Sequence, residues 1–330
     1  MERGDEHRAG QTSVAASIKF DIVPRDKGAR SEILSGGKST VTPLVLHTLD
    51  GQTCDALLRH PASVPVSDAR IVLMVHGSGS SHQQAPQADL GHRLAARGFA
   101  SLAFDTRQHD DRMCMDNFYA IRHDIDAAIF TARALGYRHI FLQGHSLGNI
   151  QVQFYAATNW DEDIRGVILL AAFANLPWKT KNILVRNDAH FDRLVVEALA
   201  AVHEGDCGKR LENQITYYDG SSGAVTAQHF LTYRFEQTST ADGTQWIKRV
   251  PYPVLIVRNA SDSLIADAET TALFEAAKSD ASLVRSLDYV TLPSSLPASL
   301  DGHCFVGNEE ALAETVCRWL DKIDRTQPTR

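Results

Sequence analysis

The chain has 330 residues, 44% of them hydrophobic, enough for one large core or for a core with an insertion. A net charge of −7 with no long basic run argues against nucleic acid or an anionic membrane surface as a partner. The five cysteines, Cys54, Cys114, Cys207, Cys304 and Cys317, are odd in number and lack CxxC spacing, which points to a reducing compartment and away from a zinc or other metal site. The amino terminus, Met1 to Glu6, lacks the apolar segment of a signal peptide, and no stretch of about twenty apolar residues could span a bilayer, so a cytoplasmic location is expected.

In chain order, residues 1–40 carry Gly, Ser and charges around a strand-like patch, Val14 to Val23, and read as an N-terminal extension. Two candidate strands, Thr42 to Thr48 and Thr53 to Arg59, flank Asp50-Gly51, a hairpin turn signal. Strand and helix then alternate as in a parallel sheet: strand Ile71 to Val75, helix near Ala88 to Arg97, strand Ala100 to Phe104, helix near Tyr119 to Leu135, strand His139 to Gln143, helix near Asn149 to Ala157, and strand Gly166 to Ala172.

Between Asn175 and Val250 the rhythm breaks for about 75 residues, too long for an ordinary connection, and this insertion (175–250) reads as a helical lid. Within it Leu194, Val195, Ala198, Leu199 and Val202 recur at helical spacing, and Leu231, Tyr233, Phe235 and Trp246 add aromatic and apolar surface. Most of these side chains are expected to pack on the core, with some roofing a pocket. Mixed charges in the insertion favour an apolar acyl or aromatic group over a strongly ionic substrate. Two more strands, Tyr252 to Val257 and Leu287 to Leu292, precede a terminal amphipathic helix. The expected core, residues 41–174 and 251–330, is a mostly parallel eight-stranded α/β sheet flanked by helices, with the lid inserted after the sixth strand.

The chemistry centres on Gly144-His145-Ser146-Leu147-Gly148, which stands between a strand and a helix and reads as a nucleophile elbow. Serine needs a base, and the base an orienting carboxylate, in the chain order Ser, Asp or Glu, His. Asp262 follows the seventh strand, at a carboxyl end where open α/β sheets build sites, and His303 follows the eighth in a polar loop. Rivals exist: Asp262 could be a turn residue, Asp267 and Asp301 lie nearby, and His190, His203 and His229 lie in the insertion. Only His303 comes after the acid and before the last helix. Ile71 to Val75 opens into His76-Gly77-Ser78-Gly79-Ser80-Ser81, whose Ser78 or Gly79 N–H, with that of Leu147, can hold an oxyanion. The same loop lacks the lysine of a P-loop, which makes phosphate binding the weaker reading. Cys304 beside His303 reads as a filler thiol.

Taken together, His76-Gly77, the Gly144 to Gly148 elbow, Asp262 and His303 make residues 42 to 325 resemble the α/β-hydrolase superfamily. The loop from His76 to Ser81 is similar to that of dienelactone-hydrolase-like members, and Gly144 to Asn149 with Val152-Gln153-Phe154-Tyr155 is similar to siderophore-esterase-like members. Two departures stand out: Asp105-Thr106-Arg107-Gln108-His109-Asp110-Asp111 replaces the D-x-G-x-G turn of many relatives, and Ser146 stands where the dienelactone enzymes carry cysteine.

The resemblance implies a serine hydrolase that cleaves a carboxylic ester, thioester or lactone without a cofactor. Ser146, His303 and Asp262 are the expected catalytic residues, and Ser78 and Leu147 the oxyanion donors. Gly79, His109, His145 and Trp178 are expected to contact substrate. Asp110, Asp111 and Arg112 share the loop of His109, which could equally be solvated. The expected partner is a small molecule, with homodimerisation left open. Alternatives are a C–C bond hydrolase of a diketone and a small-molecule receptor that keeps the triad without turnover.

Overall fold

The apolar runs at 71–75, 100–104, 140–142 and 167–170 are buried along their whole length, which requires that both faces of their sheet be covered. In the computed structural model, which describes residues 30–34, 37–185, 187–216 and 222–326, they form the centre of a nine-stranded sheet. The strands are β1 Arg30–Leu34, β2 Gly37–His47, β3 Thr53–Pro61, β4 Arg70–Val75, β5 Ala100–Phe104, β6 His139–His145 and β7 Ile164–Leu170, followed after an insertion by β10 Val254–Asn259 and β11 Leu287–Leu292. A separate short hairpin within the insertion pairs β8 Ile215–Thr216 with β9 Ser222–Gly223. Across the large sheet the order is β1-β2-β3-β5-β4-β6-β7-β10-β11. β1 through β3, and β3 with β5, pair antiparallel; the remaining pairs are parallel.

All eight expected strands are present, and β1 is an addition. It pairs with the start of β2, so the sheet begins within residues read as an N-terminal extension. Polar Arg30, Ser31 and Glu32 leave β1 with no apolar period to read. The patch Val14 to Val23 lies outside the described residues. The hairpin at Asp50-Gly51 forms as expected: Gly51 takes φ 84°, and the Thr48 hydroxyl donates to Asp50 Oδ1 at 2.5 Å.

The helices are α1 Gln87–Ala96, α2 Ile121–Ala134, α3 Leu147–Thr158, α4 Leu176–Lys179, α5 Asp188–His203, α6 Ala227–His229, α7 Gly243–Trp246, α8 Asp267–Lys278, α9 Leu300–His303 and α10 Glu309–Thr326. α1 packs with α10, and α2 with α3. From β4 the chain crosses through α1 to β5 on one side; from β6 it crosses through α3 to β7 on the other. Right-handed crossovers in opposite directions put α1 and α3 on opposite faces and open a crevice between the carboxyl ends of neighbouring β4 and β6. The glycine-rich loop after β4 and the elbow after β6 both end there.

The insertion between β7 and β10 carries α4 to α7 and, with Cys114 from the loop after β5, builds a second core that includes Phe191, Leu194, Ala198, Ala201, Leu211, Ile215, Val225, Phe230 and Leu231. The expected stripe on α5 is therefore split. Leu194 and Ala198 are buried in this small core, whereas Leu199 and Val202 face solvent, because one turn of helix cannot present both rows to so small a cluster. Tyr233 belongs instead to the main core, where its hydroxyl accepts from Gln108 Nε2 at 2.6 Å and Gln151 Nε2 at 3.0 Å.

Candidate active site

Ser146 is the corner between β6 and α3, with φ 52° and ψ −119°, a region that side-chain-bearing residues rarely adopt. Its neighbours permit the corner. A Cβ on Gly144 would lie 2.4 Å from the Gly148 carbonyl oxygen, and one on Gly148 would lie 2.5 Å from the Val75 carbonyl oxygen. The turn is fixed from behind: Ser146 N donates to Leu170 O at 3.0 Å, and Asn149 Nδ2 donates to Ser146 O at 3.0 Å and to Leu170 O at 2.7 Å.

Asp262 follows β10 and is buried, as is His303 at the end of α9. His303 Nδ1–H donates to Asp262 Oδ2 at 3.0 Å, while Oδ1 accepts from the Leu264 and Ile265 N–H groups at 2.8 and 3.0 Å. Burial pushes the Asp262 carboxyl up, but His303 and the two backbone donors outweigh it and hold the group below its ordinary value. Sequence pattern places His303 in a polar loop, whereas it lies on a one-turn helix, capped by Ser299 Oγ accepting from Gly302 N at 3.1 Å. Gly302 lets that helix dock: a Cβ there would lie 2.0 Å from the Ser261 carbonyl oxygen.

Ser146, His303, Ser78, Gly79, Leu147 and His145 line one cavity of about 760 Å³. Among the described residues no hydrogen bond joins Ser146 to His303, and none uses the backbone N–H of Ser78 or Leu147. Such contacts commonly tighten only when substrate arrives. The loop bearing Ser78 is pinned by His76, whose Nδ1–H donates to Gly77 O at 2.7 Å while Nε2 accepts from Thr106 N at 2.9 Å. Asp105 accepts from His82 N at 2.7 Å and pins the other end of the same loop. The segment that departs from D-x-G-x-G is thus a set of struts.

His145 lines the cavity but is committed elsewhere: its Nε2–H donates to the His303 carbonyl at 3.0 Å. Burial, and secondarily the neighbouring His303, push His145 down to about 3, so it stays neutral. His109 and Trp178 do not line the cavity. His109 turns outward to Asp110 Oδ2 at 3.2 Å, and Asp110 lines the cavity in its place. On α4 the i, i+3 pair Leu176 and Lys179 faces the cavity, which leaves Trp178 half-exposed on the far side, over a separate cleft. The rival groups are spent or remote: Asp267 is exposed on α8, Asp301 lies at the exposed rim, His190 meets Gln214 O, and His229 stacks on Tyr233. Cys304 lines the cavity with its thiol pushed up to about 11, by burial first and then by Asp262 and Asp301, which keeps it a protonated filler.

Two buried charged residues of the lining, Lys179 and Arg234, were not expected. Both come from the insertion, where no motif marks them, and both are buried. Apolar lining comes from Phe173, Leu176, Leu184, Leu264 and Ile265, among others, and further polar lining from Ser80, Gln84, Ser263, Asp110 and Asp301.

A family model described as serine aminopeptidase, S33, matches residues 67–287. The chain belongs to this α/β-hydrolase family. No curated protein matches the sequence. Among solved structures, this α/β-hydrolase is similar to the esterase Est1E of Butyrivibrio proteoclasticus, solved with ferulic acid bound, at 18% identity and TM-score 0.59 over 85% of this chain and 99% of that one. It is similar to the α/β hydrolase GrgF of Penicillium sp. sh18 at 14% identity and TM-score 0.63, over 86% and 98%. A third likeness, at 17% identity and TM-score 0.55 over 84% and 98%, is to an esterase domain from Rhodothermus marinus. At these identities the neighbours establish the fold. Among the described residues no helix is long and apolar enough to cross a membrane.

Proposed function

We propose that this α/β-hydrolase cleaves a carboxylic ester, thioester or lactone of a small organic substrate through an acyl-enzyme. His303 Nε2 takes the Ser146 proton as Oγ attacks the carbonyl carbon. Asp262 holds the imidazole in the tautomer that leaves Nε2 basic, and it stabilises the imidazolium that forms. The N–H groups of Ser78 and Leu147 bind the oxyanion. Collapse of the tetrahedral intermediate expels the alcohol, which His303 protonates. Water, activated in turn by His303, then releases the acid.

The observation that carries this reading is the 3.0 Å contact of His303 with a doubly backbone-bonded Asp262 beside the strained Ser146 corner in one cavity. The family description names an aminopeptidase, whose substrate brings an α-ammonium. The buried charged side chains lining this cavity beyond the triad are Lys179 and Arg234, and its other carboxylates, Asp110 and Asp301, are exposed at the rim. That arrangement favours an ester over an amino-terminal peptide. Residues 175–250 act as the lid, whose apolar walls exclude water from the developing oxyanion. All five cysteines are free, in keeping with a reducing, cytoplasmic setting.

The test is turnover of p-nitrophenyl esters of graded acyl length against aminoacyl p-nitroanilides. Ser146→Ala is expected to lower ester kcat by about 10⁴- to 10⁶-fold with the fold retained. Faster hydrolysis of the anilides would transfer the assignment to peptide bonds. Tight ligand binding that survives Ser146→Ala, with negligible wild-type turnover, would make the protein a receptor.

A further inference from the structure

We infer that the substrate carries a carboxylate on one arm, and that Arg234 reads it; the inference rests on the ester-hydrolase reading above. Arg234 closes the π-helical turn Phe230–Arg234 of the insertion, is 3% exposed, and lines the same cavity as Ser146. The contacts that hold its head include three of 3.3 Å: Nε donates to His229 Nε2, Nη1 to Thr180 Oγ1 and Nη2 to Cys114 Sγ. His229 is itself fixed, stacked on the Tyr233 ring at 4.3 Å and bonded through Nδ1 to Asp116 O at 3.1 Å. The guanidinium is therefore positioned from several elements at once, which is the preorganisation that bidentate carboxylate recognition needs.

A surface arginine would serve solubility; one held inside a catalytic cavity bears on what enters it. Lys179 also lines the cavity, but its Nζ donates at 2.8 Å to both carboxylate oxygens of Glu269 and to Leu264 O, so its charge is compensated and Arg234 carries the recognition. Opposing carboxylates do line the cavity, at Asp110 and Asp301, but both are exposed, where solvent and salt weaken their repulsion. Phe173, Leu176 and Leu184 give the same cavity an apolar share of its wall. The shape of substrate that fits is an aliphatic or aromatic spacer ending in a carboxylate, which revises the purely apolar group expected from the insertion's mixed charge.

The experiment compares matched pairs on the full-length enzyme. The first pair is p-nitrophenyl hydrogen adipate against p-nitrophenyl hexanoate, with the carboxylate on the acyl arm. The second is 4-butanoyloxybenzoate against phenyl butanoate, with the carboxylate on the alcohol arm. In at least one pair the charged member is expected to be favoured in kcat/KM by about 10- to 100-fold. That ratio is expected to collapse towards one in Arg234→Gln and to survive in part in Arg234→Lys. Should Arg234→Gln fail to fold, protection of wild-type Ser146 from fluorophosphonate by adipate, but not by hexanamide, carries the same information. Equal turnover of charged and neutral members in both pairs, or a ratio unchanged in Arg234→Gln, overturns the inference and leaves the hydrolase reading standing. No turnover of any member, with Ser146 unlabelled, overturns both.

Discussion

Ser146 is held in a backbone conformation that costs of order 1–3 kcal/mol, and what it obtains is a place on the cavity wall beside the N–H of Leu147, which has no hydrogen bond among the described residues. Asp262 is the other residue whose environment decides its role. Because its folded value is depressed, the stabilisation it contributes is present above the ordinary carboxylate value of 3.8 and is lost as pH falls through the folded value. Asp262→Asn keeps the shape while reversing the tautomer preference of His303. It is expected to lower kcat by about 10⁴-fold, and steady-state kinetics on the variant check this; a loss under about tenfold would mean that another group orients the imidazole. These residues were legible in the sequence because a strained corner demands small neighbours and because chain order separates His303 from His190, His203 and His229. His109 and Trp178 were misjudged for the opposite reason: which face of a loop or a short helix looks inward is set by tertiary packing. Arg234 and Lys179 were invisible for the same cause, since an isolated cation in an insertion has no pattern around it.

At the scale of elements, continuous apolar runs declare buried parallel strands, and the two opposed crossovers from β4 and β6 then dictate where the crevice opens. The loop after β5 was harder to read. Arg107, 4% exposed, joins three elements: its side chain meets the fully buried Asp124 of α2 at 2.8 Å and Asp50 of the β2–β3 turn at 2.9 Å. Only the fold brings these distant positions together. Arg107→Met is expected to cost about 3–5 kcal/mol of unfolding free energy in urea titration, because Asp124 is left buried without its pair. Adding Asp124→Leu is expected to restore most of that loss. A single variant as stable as wild type would show that the bridge is dispensable.

Across the whole molecule, the site is assembled from the ends of β4, β6 and β10 and from α9, beside an insertion whose small core also takes in Cys114, so acid should loosen catalysis and fold together. Burial is the main cause holding His76 down to about 4 and His145 down to about 3, against an ordinary 6.5. Below about pH 6.5 the unfolded chain binds protons at both positions that the folded chain refuses, so stability falls as pH falls through that range. Thermal denaturation between about pH 7 and pH 5 is expected to show a melting temperature that declines on acidification, with a shallower decline in His145→Asn. A slope unchanged in that variant would remove His145 from the account.

The most direct measurement is fluorophosphonate labelling followed by peptide mass mapping, on wild type, Ser146→Ala and His303→Ala, each checked for folding by circular dichroism. The account predicts one labelled site, Ser146, in the wild type, with labelling abolished in Ser146→Ala and strongly slowed in His303→Ala. A folded wild type that takes no label at Ser146, or a His303→Ala variant labelled at the wild-type rate, would contradict it.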